Sequence, residues 1–145
     1  MRHAILKMEM SEMSNPAKQI APVKGMAKPQ GVWSVAVVAT PGKFVFVSGL
    51  LAKDETGQIV GVGDITAQTE KVMQNLVQAL DSAGATIDDV VRVDVYCRDI
   101  SKFSEIHAVR ARYFKKDPPA STMVEVSRLT SDVALIEVTA IAVLP

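Results

Sequence analysis

The chain has 145 residues, enough for one domain with a core of ordinary size. Sixteen Lys and Arg balance sixteen Asp and Glu, which excludes a strong field for nucleic acid or an anionic membrane. Hydrophobic residues make up 48% and charged ones only 22%, yet no run approaches the ~20 apolar residues of a spanning helix. The apolar surplus therefore points to a buried subunit interface. A single cysteine, Cys97, excludes an internal disulfide and a cysteine-cluster metal site, and it suits a reducing, cytoplasmic setting. His3 and His107 are the only histidines, so a histidine-based metal site or triad has little to draw on.

Residues 1–25 differ in character from the rest. Four of the seven methionines fall in the first thirteen residues, among Lys, Glu and Ser, with no continuous apolar segment of a secretory signal. The expectation is a flexible N-terminal extension followed by a single domain over residues 26–145; an arm covering a neighbouring subunit is the alternative.

Residues 31–39 and 43–48 read as two strands about the turn signal Pro41-Gly42. Gln58-Ile59-Val60, after Asp54-Glu55-Thr56-Gly57, suggests a short third strand. Apolar residues at Ile65, Val72, Met73, Leu76, Leu80 and Ala83 then recur at helical spacing, opened by Asp64 as N-cap and closed by Gly84. Residues 90–98 alternate as a strand, with Val91, Val93, Val95 and Cys97 on one face and Arg92, Asp94, Tyr96 and Arg98 on the other. A second helix spans about 101–115, with Phe103, Ile106, Val109 and Tyr113 on its apolar side.

Two β-rich runs finish the chain, 120–129 and 133–143, joined by a turn at Thr130-Ser131-Asp132 and preceded by the stiff Pro118-Pro119. In the last run Ile136, Val138, Ala140 and Ala142 share one face, while Leu135, Glu137, Thr139, Ile141 and Val143 share the other. Glu137 is the outlier, a carboxylate in the middle of an apolar strand. Either a partner satisfies it or its discomfort is put to use. Glu125 is a second carboxylate candidate, with an interface ion pair as its plainer reading.

The order is ββ(β)αβαββ, an α+β fold with one mixed sheet and two helices on one face. Two helices cover only one face of such a sheet. The other face carries Leu129, Leu135, Ile141 and Val143, so a second copy of the chain is expected to cover it.

The stretch Pro119-Ala120, Val124-Glu125-Val126, Arg128-Leu129, then Ile136-Glu137-Val138 and Ala140-Ile141-Ala142-Val143, resembles the C-terminal signature of the Rid family (YjgF/YER057c/UK114). The resemblance extends to Phe44-Val45-Phe46-Val47-Ser48-Gly49, to the first helix and to residues 88–93. It implies a chorismate-mutase-like fold, a homotrimer with ligand clefts between subunits, and hydrolysis of reactive imines or enamines without a cofactor. In that family an acidic residue at the position of Glu137 orders the attacking water. Ser48 and Gly49 line the cleft there, and so do the positions of Trp33, His107, Ser121, Thr122 and Met123.

Three of these positions depart from the family pattern. Ser121 stands where an arginine grips the substrate carboxylate, Trp33 where many relatives carry tyrosine, and Met123 where many carry cysteine. A hydroxyl brings no charge, and a lost charge-assisted pair costs about 1.5–3 kcal/mol. Arg98, Arg110 and Arg128 are the cations that could act from elsewhere. Each position also has a structural reading: strand propensity for Thr122, a strand-end turn for Ser48-Gly49, a surface histidine for His107, core packing for Cys97. The functional expectation is a divergent hydrolase of a small-molecule C–N double bond or enamine, with Glu137 activating water. The alternative is a metabolite-binding protein using the same clefts. Ribonuclease behaviour, reported for some relatives, finds no support in the neutral charge.

Overall fold

The computed structural model describes residues 15–21 and 23–145. The expectation of a flexible extension lies outside the described residues for 1–14 and Pro22. In chain order the elements are β1 (Lys18–Ile20), β2 (Val37–Ala39), β3 (Lys43–Leu50), α1 (Ile65–Ser82), β4 (Val90–Cys97), α2 (Phe103–Tyr113), β5 (Ala120–Glu125) and β6 (Ile136–Leu144).

α1 starts and stops where its sequence says it should. The Asp64 carboxylate accepts from Ala67 N at 3.0 Å, closing the first turn. At the other end Gly84 takes φ +77°, and Ala85 N and Gly84 N return to Leu80 O and Asp81 O. Val72, Met73, Leu76 and Leu80 have no exposed surface, and each such burial contributes about 1.5–3 kcal/mol. Gln68 is equally buried, but its amide donates to Val133 O and Gly61 O and accepts from Leu135 N. That pins the segment entering β6 to the helix and leaves no lost hydrogen bond.

The main sheet runs β3-β6-β4-β5, with β4 and β5 parallel and the other pairs antiparallel. Both helices pack their buried residues into one core over a single face of it. The α+β class and the mixed sheet under two helices are as expected, but the strand pairing differs in three places. The runs joined by the turn at 130–132 are not neighbours, because β4 lies between β5 and β6. Pro41-Gly42 does not close a hairpin: β2 pairs with β1, and β3 with β6. The Gln58–Val60 strand is reduced to one bridge, Lys53 to Ile59, because Asp54 Oδ1 gathers Thr56 N, Thr56 Oγ1 and Gln58 N into a tight turn. The most apolar strands, β4 and β6, take the central places where both edges are bonded.

Two offsets shift the buried stripes. A bulge in β4 sets Val90 against Ala142 and Arg92 against Ile141, so Val90, rather than Val91, joins the core. In α2 the buried residues are Ile106, Val109 and Arg110, while Phe103 is 45% exposed. Residues 31–36, expected as strand, bend instead, because Ser34 N and Oγ are held by Pro119 O and Pro118 O.

Residues ahead of position 26 also pack on the fold. Asn15 Nδ2 donates to Asp89 Oδ1 and to Val143 O, and Ala17 is buried. Lys18 is buried as well, its Nζ donating to Asp88 O, and burial lowers its ammonium pKa against the pull of Asp117, Asp88 and Asp89. Val143, where Asn15 docks, is fully buried. On the same face Phe44 and Phe46 stack with centroids 6.1 Å apart and are exposed, Phe46, opposite Ile141, by 74%.

Candidate functional site

The residues singled out in sequence fall into two groups at different places on the chain. The first is built around Glu137. β3 pairs with β6 until Val47, then slips, so that Ser48 and Gly49 form a bulge before Leu50 meets Val138. Thr139 Oγ1 donates to Val47 O at 2.5 Å and holds the bulge in place. Glu137 lies against it. A Cβ on Gly49 would stand 1.8 Å from Glu137 Oε1, so the glycine is there because the carboxylate needs its space.

Glu137 is half-buried, and among the described residues its carboxylate has no hydrogen-bond or ion-pair partner. The satisfying partner that sequence reasoning allowed for is absent within this set. Instead the carboxylate and Gly49 face a groove of about 960 Å³, whose far wall is Lys71, Asn75 and Gln78 of α1. Asn75 Nδ2 fixes the near loop by donating to Leu51 O and Lys53 O.

The second group gathers at the start of β5. Here the bend at 31–34 meets Pro118–Ala120, with a bridge from Ser34 to Ala120. His107 of α2 stacks on Phe103 at 5.3 Å and leaves so little room that a Cβ on Gly31 would meet its ring at 2.6 Å. Trp33, 37% exposed, sits in the same bend. Ser121 points to the helix side of the sheet and accepts from Arg110 Nη2 at 2.8 Å. Met123, two residues on, packs against the core. Thr122 faces the opposite way and accepts from Arg92 Nη2, which also makes an ion pair with Asp94 at 2.7 Å.

Arg110 was one of three candidate cations in the sequence, and its surroundings set it apart. The residue is 3% exposed, its guanidinium lies 5.9 Å from the Phe114 centroid, and its Nε finds no hydrogen-bond partner among the described residues. Burial alone pulls its pKa down to about 10. Arg128, by contrast, pairs with Asp132 at the surface. Within the chain Glu125 accepts from Ile100 N. Position along α2 was the available signal for Arg110, since it lies four residues after Ile106 on the buried stripe.

The two groups cannot share one small ligand within a single chain. Glu137 is opposite Tyr96 and Ser121 opposite Val93, which puts them two strands and three residues apart, about 14 Å, on opposite faces. Among the described residues no set of His, Cys, Asp and Glu is arranged to hold a metal ion, and no helix is long and apolar enough to cross a membrane.

Comparison with known proteins places this arrangement. The family described as Endoribonuclease L-PSP matches residues 12–144. The chain belongs to the Rid family. Similar to it is a RutC family protein of Pyrococcus abyssi, 44% identical over 127 residues, covering 87% of this chain and 97% of that one. The 3-aminoacrylate deaminase RutC of Acinetobacter baylyi is 38% identical over 98 residues, covering 68% of this chain and 77% of that one. Among solved structures, the Rid protein YyfB of Yersinia pestis superposes with a TM-score of 0.82 at 32% identity, over 88% of this chain and 99% of that one. The chorismate-mutase-like fold expected of a Rid protein is therefore the fold found. The match also begins at residue 12, ahead of the packing of Asn15, Ala17 and Lys18.

Proposed function

We propose that this Rid protein hydrolyses a small-molecule imine or enamine, with Glu137 orienting and deprotonating the attacking water. The observation that carries this is the half-buried carboxylate, without a partner among the described residues, held by a bulge against a glycine at the wall of a groove. A carboxylate kept free of protein partners is available to a water and to a reacting carbon beside it. In the reaction water adds across the C=N bond, the nitrogen takes a proton, and the amino group leaves as ammonia while a carbonyl forms. The deaminase name of the Acinetobacter relative supports the same chemistry.

Clefts completed by a second copy of the chain follow from the same reading. The Glu137 group and the Ser121–His107 group lie on opposite faces, so a neighbour's Ser121 group would have to meet this chain's Glu137. The exposed Phe44 and Phe46 supply apolar surface for such an interface. A homotrimer is the assembly we propose, and light scattering should give a mass near three chains. A protein with zero net charge acts here on a metabolite rather than on RNA, despite the nuclease description of its family.

The test generates 2-imino acids with an amino-acid oxidase and traps the unhydrolysed imine with semicarbazide. Wild type should suppress the semicarbazone, and Glu137→Ala should not. Inertness of wild type and of Ser121→Arg alike would replace the hydrolase with a metabolite-binding protein.

A further inference from the structure

Consecutive prolines leave a segment with little to donate. Pro118 and Pro119 have no backbone N–H, so the loop that leads into β5 is held at these residues through its carbonyls. Both carbonyls meet one residue. Ser34 N donates to Pro119 O at 2.9 Å, and Ser34 Oγ donates to Pro118 O at 2.5 Å. Ser34 is 6% exposed and also bridges to Ala120. The double contact is therefore shielded from water, where a hydrogen bond is electrostatically stronger.

The residues beside Ser34 show what the contact holds. Gly31 meets the His107 ring with no room for a Cβ, and Val32 packs against the core. Trp33 follows, and its indole is partly exposed. The bend is thus anchored on both sides of Trp33, by a core contact before it and by the Ser34 hydroxyl and amide after it. A large ring on a short bend stays in one place only as far as those two anchors hold it.

We propose that Ser34 is a positioning residue: its hydroxyl fixes the Trp33 indole against the start of β5 and so sets how tightly the cleft holds its ligand. The inference rests on the proposed function for the ligand, an imine or enamine beside the indole, but the placement of the indole does not depend on turnover. Glu137 is held by a different contact, the bulge at Ser48 and Gly49. Loosening the indole therefore weakens ligand binding and leaves the chemical step alone. Loss of the hydroxyl keeps the bond from the residue 34 amide to Pro119 O, so the bend loosens without unfolding.

Trp33 is the only tryptophan of the chain, so its fluorescence reports on the bend directly. Ser34→Ala should shift the emission to longer wavelength and open the indole to quenching by acrylamide. In the semicarbazide assay the same variant should raise KM about 5- to 10-fold, the worth of one hydrogen bond, with kcat close to wild type. Ser34→Thr keeps the hydroxyl and should return both readouts most of the way. Asp64→Ala loses one hydrogen bond at the start of α1 instead, and should move neither. Unchanged Trp33 emission in Ser34→Ala, an equal shift in Asp64→Ala, or a loss confined to kcat overturns the assignment. Hydrolysis of imines with unshifted emission sinks this inference and spares the reaction; the emission shift without hydrolysis in wild type does the reverse.

Discussion

Replacing Gly49 by alanine should separate the fold of this protein from its chemistry. The added Cβ would stand 1.8 Å from Glu137 Oε1 and 2.9 Å from its Cδ, where real Cβ contacts do not go below 3.0 Å. The carboxylate therefore has to retreat by at least about 1.2 Å, by rotating away from the bulge. The fold tolerates that, because the displaced atoms are the end of a flexible side chain and Gly49 has no positive φ. Alanine also restricts the unfolded chain, a gain of about 0.4–1 kcal/mol that offsets much of the rotamer strain. The net change in stability should stay within about 1 kcal/mol. Catalysis has no such tolerance: a misplacement of about 1 Å costs about 100-fold, or about 2.7 kcal/mol of barrier. The semicarbazide assay should show that loss in kcat/KM while circular dichroism shows a melt shifted by no more than about 4 °C. Turnover within about twofold of wild type in a folded Gly49→Ala protein would refute the role given to Glu137.

Other expectations follow from the same contacts. Glu137→Gln should abolish hydrolysis yet melt no lower than wild type, because the carboxylate has no partner to lose among the described residues; a drop of several degrees would mean that it is structural. Leu76→Ala, at a fully buried position of α1, should cost about 2–5 kcal/mol in a denaturant titration. Asp64→Ala removes the cap on Ala67 N and should cost about 1 kcal/mol by the same measurement. Tyr113 is hydrogen-bonded to Glu70, and burial first, then that carboxylate, pushes its pKa up to about 12 from 10.0. The fold favours the protonated phenol, so its contribution is complete below pH 10 and is lost as the pH rises toward 12. Ultraviolet titration should show a late tyrosinate phase that disappears in Tyr113→Phe.

Much of this protein is readable from its residues alone. Asp64 and Gly84 bound α1 because capping is local chemistry, decided within four residues of each end. The alternation of β6 separated its core face from the face of Glu137, because side chains on a strand alternate whatever the neighbouring strands are. The apolar residues left over predicted an uncovered sheet face, and Phe44 and Phe46 are exposed there. The oddness of Glu137 was likewise plain from its neighbours in the strand.

Strand pairing was not readable in that way. A turn between β5 and β6 looks the same in sequence whether the strands pair or a third lies between them, since pairing is settled by competition for the bonded central positions. Bulges are equally silent, and they decided which β4 valine is buried and where Glu137 meets Gly49. The strand at 18–20 is three residues long, too short for a periodic signal, and it is held by Asn15 and by pairing with residues 37–39. Arg110 carried the largest surprise. Its place on the apolar stripe of α2 was in the sequence, but only the parallel pairing of β5 with β4 brings Ser121 beneath it. Sequence determined which residues carry charge and which faces are apolar; the tertiary fold decided which charges are left without a partner, because that depends on contacts between residues far apart in the chain.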